Sequence, residues 1–194
     1  MTDEDNSCQQ LPTFKRNNYF YGKLVSVADF QEEQNYFINK LRLINRLIHG
    51  KGIICGLELT ADKPEGTIRV NEGFALDGYG REIILSKKIT YDLNQMYKPE
   101  DVGKKRDLFA TIEYEETKVD PTPAIGQEET QYNMILEGVR IEFDRMLPDS
   151  CSMDKILLAK ISVKTNRNKI YIQKIEKSTK LNATISRDKR EDTA

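Results

Sequence analysis

Apolar and polar positions change rhythm once along this chain, near Gly50 to Gly52. Before that point the spacing is helical. Phe30, Phe37, Leu41, Ile44 and Ile48 recur at steps of seven, four, three and four, which places them on one stripe of a helix. Ile38, Leu43 and Leu47 widen the stripe, and Glu32, Asn35, Asn39, Arg42, Asn45 and Arg46 supply polar positions. Ser26 is suited to cap the helix, with Asp29 in the place of the capping-box acid. Gly50 and Gly52 end it. About 23 residues at 1.5 Å each make a rod of roughly 34 Å. Its apolar surface needs either the β region or another subunit to cover it.

After Gly52 the period is two. Ile53 to Leu59 reads as one strand, Thr67 to Val70 as a second and Phe74 to Asp77 as a third. A tight turn at Gly78-Tyr79-Gly80 leads into Arg81 to Leu85, and Ile89 to Leu93 adds one more. Leu108 to Tyr114, Val139 to Phe143, Ile156 to Val163 and Ile170 to Ile175 form a later set. Short strands separated by turn residues predict an antiparallel sandwich or small barrel. The fold class is therefore α+β, mainly β, with one long N-terminal amphipathic helix.

The same pattern divides the chain. Residues 1–18 read as a flexible arm, 19–93 as the helix plus a first β region, and 94–107 as a linker or a short helix starting near Pro99. Residues 108–177 read as a second β region and 178–194 as a disordered, solvated tail. Asp120-Pro121-Thr122-Pro123, running on to about Thr130, reads as a long, stiff loop.

Composition narrows the class. In 194 residues, 38% are hydrophobic and 31% charged, enough apolar residues for a folded protein with wet surfaces. Lysine plus arginine number 30 against 31 acids, so there is no general pull toward nucleic acid or anionic membrane. No apolar run approaches the roughly 18 residues needed to span a bilayer. The acidic start, Met1 to Asp5, lacks the pattern of a signal peptide. The expectation is a cytoplasmic protein, or one that leaves the cell inside an assembled particle.

Candidate chemistry is sparse. Cys8, Cys55 and Cys151 are an odd number and far apart, with neither a disulfide framework nor a metal pattern. Cys55, inside an apolar run, is expected to be a small buried hydrophobe. The single histidine, His49, stands at the helix end, where an imidazole suits the last carbonyls. A catalytic Cys55–His49 pair would need an exposed, activated thiol. Glu58, Asp77 and Glu82 offer carboxylates, but nothing marks one pair above the rest. Arg81 beside Asp77 reads as an ion pair that fixes the hairpin. There is no phosphate-binding or dinucleotide fingerprint. No catalytic, cofactor or metal residue is assigned. The candidate residues are for contact: Tyr19, Phe20 and Tyr21, followed by Phe30, Phe37 and Leu41. The aromatic trio admits two readings, a staple packed on the helix, which is the simpler, or an anchor for a partner subunit.

Several segments also carry a resemblance. They are Tyr19 to Leu24, Asp29 to Phe37, Asn45 to Leu57, the run from Val70 through Gly73 and Ala75 to Ile83, and Tyr114 to Glu116 with Asp120 to Pro123. Together, over roughly residues 19–145, they resemble a poorly characterised family associated with contractile injection systems, the phage-tail-like particles of bacteria and archaea. The stretch from His49 to Leu57 is the most specific. The chain departs from the pattern at Lys51, where an aromatic is common, and near Asn133, where a cysteine is common. The resemblance implies a structural or accessory part of such a particle, at a baseplate, cap or attachment position. It implies other subunits, or further copies of the chain, as partners, and it supplies no catalytic residues. Two alternatives are a carbohydrate- or receptor-binding module using Tyr79, Tyr97 or Tyr132, and a small hydrolase using His49, Cys55 or paired acids.

Overall fold

A computed structural model of the chain describes residues 11–62, 66–96, 98–123, 130–149, 151–166 and 169–178. Most of the expected arm and tail, Cys8, Tyr97 and the middle of the expected 120–130 loop lie outside the described residues.

The helix begins where its cap predicts. Helix α1 spans Val27–Ile44 and runs on through a wider π turn at Asn45–His49. Ser26 and Asp29 form a reciprocal capping box. The wide turn ends at Gly50, whose φ of 72° only glycine adopts freely.

The first β region is a three-stranded meander in which each strand is broken once. The first strand comprises β1 (Gly52–Gly56) and β2 (Leu59–Asp62). The second comprises β3 (Thr67–Val70) and β4 (Gly73–Leu76). The third comprises β5 (Glu82–Leu85) and β6 (Ile89–Asp92). The halves pair antiparallel as two small sheets, β1-β4-β5 and β2-β3-β6. Where the first two strands cross the bend, Leu57 N–H donates to the Glu72 carbonyl at 3.1 Å and Asn71 N–H to the Glu58 carbonyl at 3.0 Å.

The single strand expected over Ile53–Leu59 is thus two strands. Gly56 and Leu57 both take positive φ, 62° and 54°. A Cβ on Gly56 would lie 2.1 Å from the Glu72 carbonyl oxygen, so the two backbones touch at the bend. The register also slips between Ile53 and Cys55. That slip turns Cys55 outward, and the thiol expected to be buried is exposed.

The second β region is one four-stranded antiparallel sheet, ordered β10-β9-β7-β8. Its strands are β7 (Lys105–Thr122), β8 (Gln131–Asp144), β9 (Ile156–Asn166) and β10 (Lys169–Lys177). The expected loop at Asp120–Pro123 is largely strand instead. Pro121 pairs with Tyr132 and Thr122 with Gln131. Among the described residues, β7 pairs with β8 alone beyond Ile112. A proline with its nitrogen on the unpaired side breaks no ladder there.

Ile53, Leu57, Ile68, Val70 and Ile83 of the meander join Leu108, Ile112, Leu158, Ile161 and Ile172 of the large sheet in one core. The stretch expected to be a linker is pinned to this body. It carries single 3-10 turns at Leu93–Met96 and Pro99–Asp101. The Asn94 side chain accepts from Ile170 N–H at 2.8 Å, and Gly103 N–H donates to Thr165 at 2.8 Å. Buried Asp101 is paired with Arg106 and Arg145. Burial opposes its ionisation, but the two guanidinium groups outweigh that and hold its carboxyl below the usual range. Among the described residues no helix is long and apolar enough to cross a membrane.

Candidate interaction surface

The N-terminal stretch lies along α1 and fixes its first turns. Ser26 N–H donates to Asp29 Oδ2 at 2.9 Å, Asp29 N–H donates back to the serine hydroxyl at 3.4 Å, and Lys23 Nζ stands 2.9 Å from Asp29 Oδ1. The serine hydroxyl and the lysine ammonium together hold the Asp29 carboxyl well below the usual carboxylate range. Asn17 donates its amide to the Asp29 carbonyl at 2.5 Å. Tyr19 donates its hydroxyl to Glu33, which raises the phenol's pKa. Lys23 sits 5.0 Å above the Tyr19 ring. Phe14 meets Tyr36 edge-on at 6.1 Å. Lys40 Nζ donates to the Tyr36 hydroxyl at 3.0 Å and lowers that phenol.

These contacts tie down residues 14–29 but do not bury the aromatic trio. Tyr19 rests against Glu33, yet Phe20 is 66% exposed and Tyr21 fully so. Packing of the trio on the helix, the simpler expectation, is therefore not what the fold adopts. The helix itself has no buried residue. Phe30, Phe37 and Leu41 all face solvent, and so do Val27, Ile44 and Ile48.

The helix meets the β body through its last turns. Asn45 is the one buried residue there, and its amide donates to the Gly80 carbonyl at 3.1 Å and to Glu82 at 3.4 Å. Gly80 has φ of 79°, and a Cβ on it would lie 2.1 Å from the Arg42 carbonyl oxygen. Only glycine lets the helix end approach so closely. The turn that carries Gly80 is built on fully buried Asp77. Its carboxylate accepts from Tyr79 N–H at 2.9 Å, from Arg81 N–H at 2.8 Å and from the Arg81 guanidinium. The expected Arg81–Asp77 pair is present. The Arg81 guanidinium also covers the Tyr114 ring, 5.1 Å from its centre. Burial and the neighbouring Glu116 and Glu137 push the Tyr114 phenol far up. Ile38, Leu41 and Arg42 line a shallow cleft with Tyr114 and Glu137, and Arg42 reaches Glu116 at 3.9 Å.

A second apolar surface lies on the distal part of β7 and β8, past the end of β9. Tyr132, Met134, Ile135 and Leu136 are all exposed there. The consecutive apolar run Met134-Ile135-Leu136 was the available sequence signal, because a strand buried on one face alternates instead. Asn45 gave no signal, since it reads as one more polar helix position.

The candidate reactive groups do not converge on a site. His49 and Cys55 are both exposed, as is Cys151. Asp77 is held by its turn, Glu82 faces Asn45, and Glu58 pairs with Lys177 at 3.3 Å. Among the described residues no group of three or more His, Cys, Asp or Glu is placed to hold a metal ion. Of the aromatics considered for ligand binding, Tyr79 is exposed on the Asp77 turn, and Tyr132 stands in β8 and not in a loop.

No protein-family model and no curated protein matches the chain. Solved structures do match. A chain of the type VI secretion system TssK-TssF-TssG baseplate subcomplex aligns with a TM-score of 0.50 and 9% identity, over 83% of this chain and 60% of that one. Crystalline TssK aligns at 0.43 and 14%, over 83% and 41%. A chain of the type VI secretion baseplate complex aligns at 0.43 and 7%, over 84% and 58%. At such identities the likeness is one of fold. The chain spans about three fifths of the baseplate subcomplex chain it matches.

Proposed function

We propose that this chain is a structural or accessory component of a contractile, phage-tail-like injection particle, at its baseplate, cap or attachment part, and that it works through protein–protein contacts and not catalysis. The observation that carries this reading is the helix. A capped, well-formed α1 and the π turn after it present Phe30, Phe37, Leu41, Ile44 and Ile48 to solvent, and a large apolar surface of that kind marks a site of association. Tyr19, Phe20 and Tyr21 extend it as anchors. The fold likeness to a baseplate subcomplex chain supports the reading, as does the resemblance carried by residues 19–145.

The test is composition of the particle. Contractile particles purified from the native host are expected to contain the chain in fixed ratio to sheath and tube, and deletion of its gene is expected to leave the particles incomplete. Particles that lack the chain and assemble normally without it would refute the reading.

A further inference from the structure

The apolar residues of α1 are ordered more finely than a general greasy face requires. Val27, Phe30, Gln34, Phe37, Leu41, Ile44 and Ile48 alternate steps of three and four, the spacing of a helix-pairing seam. Each apolar member is exposed, from 43% at Ile44 to 73% at Val27. The seam lies between two neighbours that leave it open. The N-terminal stretch touches the helix at Asp29, Glu33 and Tyr36 on one flank. The β body meets it at Arg42 and Asn45 on the other, where Leu41 borders the cleft with Tyr114 and Glu137 yet stays 47% exposed.

The geometry points to a second copy of this chain as the occupant, with its α1 laid antiparallel along this one; the inference rests on the assembly reading above and names the partner of that surface. About a two-fold axis at the middle of α1, Val27 packs opposite Ile44 of the second copy, Phe30 opposite Leu41, and Gln34 opposite Phe37. Each layer occurs twice.

Charge selects this arrangement. The same flank of the seam carries Glu33 and Lys40, one heptad apart. Antiparallel pairing sets Glu33 of each copy beside Lys40 of the other, two attractive pairs. Parallel pairing sets Glu33 beside Ile38 and Lys40 beside Asn45, with no ion pair. An antiparallel slip of one heptad in either direction brings Lys40 against Lys40, or Glu33 against Glu33. The bonds from Tyr19 to Glu33 and from Lys40 to Tyr36 leave the carboxylate further acceptor sites and the ammonium further donors. Gln34 faces Phe37 of the other copy in two mixed layers, so register is set by the flanking charges. Such an interface is isologous and closes as a dimer. It sets the two β bodies at opposite ends of a helix pair about 27 Å long.

The experiment is sedimentation equilibrium on the full chain and its variants, with circular dichroism to confirm folding. The wild-type chain is expected at twice its 22.4 kDa mass, and Leu41→Glu at the single mass. Glu33→Lys and Lys40→Glu are each expected to weaken the dimer roughly tenfold, because two attractive pairs become repulsive. The double variant, which exchanges the charges, is expected to restore affinity to about the wild-type value. A wild-type chain monomeric up to its solubility limit, a trimer, a Leu41→Glu dimer, or a double variant no tighter than the single ones would each overturn the proposal. A monomer that is nevertheless found in particles would sink the pairing and leave the assembly reading standing. A dimer absent from particles would do the reverse.

Discussion

Ile161 and Phe37 are both large apolar residues in cleanly periodic runs, yet they end in opposite surroundings. Ile161 sits at the centre of the large sheet, paired with Leu108 on one side and Ile175 on the other, with no exposed surface. Phe37 sits on a capped helix and is 62% exposed. The β body closes its apolar faces on each other, meander against sheet. The helix is held at its end by Asn45 and Gly80 and along one flank by residues 14–23, and neither contact covers its stripe. The stability of the fold therefore resides in the body, whereas the helix is shaped by local rules and has its apolar surface left over.

The contrast is tested most severely in the core. Ile161→Ala removes a fully buried side chain between two strands and is expected to cost about 3–4 kcal/mol of unfolding free energy, read by urea titration. A loss of less than about 1 kcal/mol would mean that the body is loosely packed.

The joint between the regions comes next. Gly80→Ala puts a methyl group against the Arg42 carbonyl at a positive φ, and an expected cost of about 2–3 kcal/mol follows. The damage is expected to be local. Limited proteolysis within α1 is expected to accelerate more than proteolysis within the body. Equal acceleration in both would show that helix and body unfold as one unit.

A smaller effect is expected at the helix start. Ser26→Ala removes half of the capping box and is expected to cost about 1 kcal/mol of helix stability. Acid should act on the same turn. Because the Asp29 carboxyl is depressed in the folded state, its contribution is present above the ordinary carboxylate pKa and is lost as pH falls through the lower folded value. Helical signal in the wild type is expected to fall in strong acid, and Asp29→Asn is expected to flatten that fall. An unchanged acid profile in the variant would show that the box does not hold the helix.

How far this division was legible varies by element and has physical reasons. Helix α1 was readable to within a residue at its start, because capping and the apolar stripe are local rules that the fold obeyed. The break in the first strand was not, because Ile53 to Leu59 begins apolar and then alternates like one strand, and Leu57 is not a residue that normally takes positive φ. The exposure of Cys55 follows from that hidden bulge. The end of β7 at Asp120 to Thr122 reads as a loop, because proline argues against a strand wherever both neighbours are present, and here one is absent among the described residues. At the surface, Phe30, Phe37 and Leu41 were identifiable as one stripe. That nothing among the described residues covers them was not, since a period tells which residues share a face and is silent on what the face meets.

The smallest stability effect is expected where the contrast is sharpest. Phe37→Ser, measured dilute enough to keep the chain monomeric, removes a ring that makes an edge contact with Tyr36 at 5.1 Å and otherwise faces water. Phenylalanine and serine have similar helix propensity, so the exchange disturbs the backbone little. The expected change in unfolding free energy is within about 0.5 kcal/mol of zero. At high concentration the same variant is expected to lose association, because each copy loses a ring from the paired seam. If Phe37→Ser instead costs as much as Ile161→Ala in the dilute chain, the stripe is already covered within one molecule, and the helix belongs to the body's core and not to a partner.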